Sequence, residues 1–444
     1  VYVKKYNGKF ILRIEDTNPE NIYSPAYKLL PRDADWIFGN ISEVWIQSDR
    51  IKIYYTYAEK LIKQDSAYVC TCNPDKFRQY SKSKKNCPCR SLSLKENIAR
   101  WNNMLNKKGF KQGEAVLRFK SSMTQNNPAM RDFPLARINE SKHPRQGTKY
   151  RVWPLMNLSV LVDDIEAGMT HIIRGKDHID NAKRQELMYK VLNKEPPKTY
   201  FIGRYKFKGL EISCSKTRER IENKEFSGWD DIRLPFLEPL RRRGFQPGAF
   251  IEYSKQIGLS LVDKVITSNE FFKTLNAFNK KILDPKSNRY FFIQNPVKIA
   301  IKDAPTQTIN IRLHPNNLKR GTRQLKATDE FYLAKEDVDS LTNNKYYRLM
   351  ECLNFKKEKN NYIFDSKNIT EFKNKGKKII HWLPQSKNLV NVEVLMPNNQ
   401  RVKGFAEPLT NKLKQGDIIQ FERFGFCRLD KKLKNKLVFW FAHK

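Results

Sequence analysis

Four of the seven cysteines fall within twenty residues, as Cys70-x-Cys72, a gap of fourteen residues, and Cys87-x-Cys89. Two close thiol pairs joined by a loop are what a closed tetrahedral zinc site needs, and such a site would be structural. One residue inside each pair, where ordinary fingers have two, is atypical. Free cysteines packed as small hydrophobes are the other reading. Glu15-Asp16 ends an alternating run over residues 9–14 that reads as a strand. Ligands of open α/β sheets bind beyond the carboxyl ends of strands, so a carboxylate there could hold a substrate ammonium or order a nearby base. An Asp-Thr-Asn-Pro turn with capping side chains explains the same residue types. His171-Ile172-Ile173-Arg174-Gly175-Lys176-Asp177-His178 reads as strand, glycine turn and helix start. Its cations suit an anionic ligand at a helix N-terminus, or are ordinary surface charges. Ser213-Cys214-Ser215-Lys216 is a short polar loop whose lysine could meet developing phosphate charge, or a plain exposed loop. Arg241-Arg242-Arg243-Gly244 closes a helical pattern. It could contact phosphates, or simply set cations at a helix C-terminus.

The elements that must position these groups read as follows. Helical patterns follow Asp16 and end over residues 54–63. Residues 67–150 are a different text, with the cysteine cluster, a helix near 94–107 and a strand at 115–119; the block reads as an insertion. Strand and helix patterns resume with Val160-Leu161-Val162-Asp163-Asp164, the strand at 171–174 and a helix over 181–192. Residues 206–285 read as mostly helical, with a turn at 212–216. Beyond Pro285 come short strands separated by Gly, Asn and Pro, clearest at 418–426 and 437–441, the texture of β-barrels. The lysine and asparagine runs near 356–377 read as solvated loops.

Composition narrows the function. The 444 residues carry 84 Lys and Arg against 47 Asp and Glu, a formal charge of +37, which points to a polyanionic partner, nucleic acid first. At 39% hydrophobic and 12% aromatic the chain can build cores and is not a disordered tail. No run approaches eighteen apolar residues, so no membrane span is expected. Seven cysteines do not make a disulfide scaffold.

Taken in order, these pieces resemble a known family. The matching text is Phe10 to Pro19, Tyr68-Val69-Cys70-Thr71-Cys72, Met169 to His178, Gly228-Trp229-Asp230-Asp231, Leu240 to Gly244, and Gln420-Phe421-Glu422-Arg423-Phe424-Gly425-Phe426. The chain is similar throughout to the archaeal-type glutamyl-tRNA synthetases, class I enzymes that share their architecture with glutaminyl-tRNA synthetases. The resemblance implies an α/β, Rossmann-like catalytic domain with an inserted acceptor-binding domain, a helical stem-contact region and C-terminal all-β barrels. The implied boundaries are 1–66 and 156–205 for the two halves of the catalytic domain, the first incomplete at its N-terminus. Residues 67–155 form the insertion, 206–285 the helical region and 286–444 two interleaved barrels that grip the anticodon.

The reaction implied joins glutamate to ATP, giving glutamyl-adenylate, and passes the glutamyl group to tRNA, with magnesium assisting and zinc a structural cofactor. Lys216, with Ser213 and Ser215 in the second signature loop, matches the lysine that stabilises the phosphates; Lys176 joins the ATP-binding set. Glu15 or Asp16 matches the carboxylate that receives the amino acid's ammonium. Arg174 matches the arginine that meets a substrate carboxylate and favours glutamate over glutamine. Met156 stands where the family has a pocket tyrosine, and Cys214 is a second departure. None of the six histidines, 143, 171, 178, 314, 381 and 443, lies in a His-x-Gly-His run, the first class signature. The sequence is therefore expected to start after that run, binding tRNA while charging it hardly at all. A cytoplasmic monomer is implied. The rival readings are a glutaminyl-tRNA synthetase and a non-catalytic tRNA-binding paralogue; the partner implied is tRNA for glutamate, with tRNA for glutamine left open as a second.

Overall fold

A computed structural model describes all 444 residues. The chain divides into two compact units, residues 1–206 with 257–265, and residues 207–256 with 266–444.

The first unit holds two parallel strand pairs. Ile11–Ile14 pairs with Glu43–Ile46, and His171–Gly175 with Lys198–Ile202. Parallel neighbours need a crossover, supplied by the helices Ala26–Phe38 and Ile179–Val191. Between the two pairs lies the insertion, a four-stranded antiparallel sheet of Ala67–Cys70, Val116–Phe119, Pro134–Ile138 and Val152–Pro154 in sequence order. The helix Ile51–Lys63 buries Ile51, Tyr54, Ala58, Leu61 and Ile62 against it, an i, i+3, i+4 stripe that shares one core with Trp101 and Trp153.

Residues 160–164, an alternation-free apolar run followed by two acids, belong to a helix, Met156–Glu166. Every residue from Asn157 to Asp164 is buried. A helix enclosed on all sides has no polar face, so its sequence loses the 3.6-residue period and looks like a buried strand.

In the second unit, helices Cys214–Glu222, Leu237–Arg243, Pro247–Ile257 and Ser268–Leu283 precede two seven-stranded sheets. Thr267 and Glu270 close the last of these helices with a reciprocal capping box. One sheet begins with Arg289–Tyr290 and ends with Phe292–Gln294; only Phe291 separates these edge strands. The other has edges Gly376–Ile380 and Leu383–Pro384, two residues apart. A link of two or three peptide units reaches about 10 Å at most, so each sheet must curl until its edges nearly meet. The strands from Val390 to His443 return to the sheet that holds Arg289–Tyr290 and Phe292–Gln294, so the barrels are interleaved as expected.

The lysine-rich stretch 356–377 is not a loop. Asn354–Glu358 and Asn361–Ser366 form an antiparallel hairpin, followed by the helix Ile369–Lys375 and the strand Gly376–Ile380. Phe355 and Phe372 point inward, and Lys356 and Lys375 lie over the ring of Tyr346 at 5.9 and 4.1 Å. Lysine stems cover apolar surface while their heads stay wet, which hid these elements from a composition reading. No helix is long and apolar enough to cross a membrane.

Candidate active site

The centre of the first unit is a network of arginines and carboxylates. Asp163 and Asp164, consecutive on the helix Met156–Glu166, are 0% and 4% exposed. Buried carboxylates must be paired. Asp163 accepts from Gln47 Nε2 at 2.9 Å, Arg50 Nε at 2.9 Å and Tyr54 Oη at 2.9 Å. Asp164 accepts from two guanidinium groups on different strands: Arg13 Nη1 at 2.7 Å and Arg174 Nη2 at 3.1 Å. Gln185 Oε1 takes a second Arg174 donor at 2.5 Å. Burial lifts the Asp164 carboxyl above its ordinary range, and the cations Arg13 and Arg174 offset that only in part. Burial also lowers the Arg174 guanidinium, with Arg13 adding repulsion. For Arg13 burial works downward, but Asp164, Glu15 and Asp163 together outweigh it and the net direction is up.

The two acids at the end of strand Ile11–Ile14 differ. Asp16 is 4% exposed and saturated: Ser48 N donates at 2.7 Å, Tyr27 Oη at 2.6 Å, and His143 Nε2 stands 3.5 Å away. Glu15 is open to solvent and holds Arg13 at 3.1 and 3.2 Å. Lys176 pairs with Asp263 at 2.9 Å, which also accepts from Arg204 N. Met156 opens its helix, its Sδ 3.7 Å from Asn181 Nδ2.

Ser213, Ser215 and Lys216 lie in the second unit, and they are not in a loop. Ser213 is the N-cap of the helix Cys214–Glu222, its Oγ accepting from Lys216 N at 3.5 Å. Lys216 thus sits in a first helical turn, where backbone N–H groups and the macrodipole already favour anions. Of the arginines 241–243, Arg242 and Arg243 are tied into the fold. Arg242 grips Asp430 with two bonds of 2.7 and 2.8 Å above the ring of Trp440, and Arg243 donates to the carbonyls of Phe441 and Ala442. Arg241 pairs with Glu238.

The four clustered cysteines are unoxidised and converge. Sγ atoms of Cys70 and Cys87 are 3.9 Å apart, those of Cys72 and Cys89 3.8 Å. Sulfurs around one zinc, each about 2.3 Å from it, stand about 3.8 Å from one another at tetrahedral angles. Cys70, Cys72 and Cys89 all lie within 4.8 Å of one another, and Cys87 joins them through Cys70. Cys89 also receives Thr71 N and Arg100 Nη1 at 3.4 Å each. Cys70, Cys72 and Cys89 form a set that could hold a zinc ion, with Cys87 next to Cys70.

Residues 1–285 match the family described as tRNA synthetases class I (E and Q), catalytic domain; 287–375 and 379–430 match two anticodon-binding domains of the same family. The chain belongs to the class I tRNA synthetases of the E and Q family. The glutamate–tRNA ligase of Methanocaldococcus jannaschii is 43% identical over the whole of this chain and 79% of its own length. Those of Methanobrevibacter smithii and Methanothermobacter thermautotrophicus are each 40% identical, over all of this chain and 78% of theirs. The network of Arg13, Arg50, Asp163, Asp164 and Gln185 in this synthetase had one sequence signal: two adjacent acids inside an apolar run, a place acids occupy only when paired.

Proposed function

We infer that this chain attaches glutamate to tRNA at the expense of ATP, through glutamyl-adenylate. The observation that carries the reading is the 43% identity to a glutamate–tRNA ligase along the full chain. In this reading the glutamate side-chain carboxylate meets Arg174, and Glu15, the solvent-open acid, takes the ammonium in preference to the saturated Asp16. A bidentate or paired contact to arginine suits a carboxylate and gives nothing to an uncharged amide of the same shape. Met156 lines the same pocket at the start of its helix. Lys216, with Ser213 and Ser215 around it, serves the ATP phosphates, where negative charge grows as pyrophosphate leaves. Magnesium would enter with those phosphates, which needs no all-protein cage. The four cysteines hold zinc as a clamp on the insertion, residues 67–155, which faces the acceptor stem. The anticodon-binding matches and the charge of +37 support tRNA as partner.

The test is calorimetric titration with glutamate and with glutamine, each with ATP present, beside filter binding of tRNA. Glutamate should bind at least tenfold tighter than glutamine. Equal binding, or a preference for glutamine, would replace this reading with the glutaminyl one.

A further inference from the structure

Arg13 and Arg174 come from different strands, Ile11–Ile14 and His171–Gly175, and their guanidinium groups meet on the two oxygens of one carboxylate. Two like charges brought together under a largely buried surface repel, and the cost rises as water is excluded. Asp164 is the group shared by both cations, and it is 4% exposed on a helix packed on every side. Behind Arg174, Gln185 is 3% exposed and commits Oε1 to the guanidinium, while its Nε2 is buried without a partner. A buried unmade donor is costly, so the amide is held in this orientation by what Oε1 gains from Arg174. Of the five N–H bonds of Arg174, two are spent on Asp164 and Gln185 and three are left for a ligand.

We propose that Asp164, seconded by Gln185, is a positioning residue for amino-acid selection: it is the counter-ion that lets Arg13 and Arg174 stand side by side, and so fixes the arginine that reads a side-chain carboxylate. The proposal rests on the reading of Arg174 given above. Asp164 itself touches no substrate. Without its charge the two guanidinium groups swing apart, and the fork of Arg174 is no longer aimed.

The experiment titrates the whole chain and its Asp164→Asn and Gln185→Met variants with glutamate, glutamine and ATP. Asp164→Asn should raise the dissociation constant for glutamate at least tenfold. Its constants for glutamine and ATP should stay within twofold, so discrimination between the two amino acids collapses. Gln185→Met should give the same pattern at about threefold, and it keeps the question open to test if Asp164→Asn does not fold. A purely structural role would weaken all three ligands together. That result, or unchanged or tighter glutamate binding in the folded variants, overturns the proposal. Failure of the unsubstituted chain to prefer glutamate overturns the proposed function instead.

Discussion

His381 makes the second unit acid-sensitive. The ring is 7% exposed, donates from Nε2 to the carbonyl of Phe292 at 2.8 Å, and turns Nδ1 toward Arg423 at 3.2 Å. Arg423 is held on Asp337 by bonds of 2.9 and 3.0 Å, and Lys378 reaches the same carboxylate at 2.7 Å. A proton on Nδ1 would place a third cation against this group. Burial, with Arg423 behind it, lowers His381 from 6.5 to about 4. Between those values the unfolded chain binds a proton that the folded chain refuses, so stability falls as pH falls through the window. At pH 4.5 that linkage removes about 2.5 kcal/mol relative to neutral pH. Asp337, held below its ordinary range despite burial by Arg423 and Lys378, adds its own loss at still lower pH. The assay is urea unfolding at pH 7.5 and 4.5 of the unsubstituted chain and His381→Asn. The variant should lose about 1 kcal/mol at pH 7.5 for its missing packing and hydrogen bond. Its further loss on acidification should be smaller than the unsubstituted chain's by about 2.5 kcal/mol. Equal losses on acidification in both proteins would refute the argument.

Metal analysis of protein prepared without chelator should give about one zinc per chain, and chelation should loosen the sheet that carries Cys70; metal-free protein with an unchanged melting profile rules the site out. Arg174→Ala should weaken glutamate binding roughly thirtyfold, the worth of one charge-assisted contact, with glutamine nearly unaffected; a parallel loss for glutamine would mean a collapsed pocket rather than a lost reader. In a chain extended to carry the His-x-Gly-His run, Lys216→Ala should slow glutamate-dependent pyrophosphate exchange by about a hundredfold while tRNA affinity holds; an unchanged exchange rate removes Lys216 from the reaction. Filter binding should show tRNA affinity falling steeply between 50 and 200 mM salt, because each neutralised phosphate releases counterions; a flat response would mean that the charge of +37 is not what holds the RNA.

What the sequence made legible follows from where its periodicities survive. The helices Ile51–Lys63 and Leu94–Leu105 each keep one wet face, so their patterns were readable. The helix Met156–Glu166 has none, so the run that carries the acids organising the site left strand and helix undivided in the sequence. The hairpin after Asn354 failed for the opposite reason, since Lys356, Lys357 and Lys359 mask its inward aromatics in the sequence. For the arginines 241–243, composition identified cations but not their direction. Only the structure pairs Arg242 with Asp430, 188 residues away. Motif text brought Glu15 and Asp16 forward as equals, and the partners of Asp16, on Tyr27 and Ser48, distinguish them through contacts that no local pattern encodes.

The interleaving of the barrels has a consequence for synthesis. Phe292–Gln294 is made early and waits for Arg401–Ala406, its partner strand, and the sheet that both join resumes only at Val390. At roughly 5–20 residues per second, the ribosome needs on the order of 5–20 s to cover that interval. During it the first strands of one barrel have no sheet to enter, while the other barrel is complete once Leu383–Pro384 emerges. Unpaired strand edges are templates for the wrong neighbour. The nascent chain therefore passes through a window in which one barrel is folded and the opening strands of its companion are bare, and a stop codon between Pro384 and Val390 would make that window permanent.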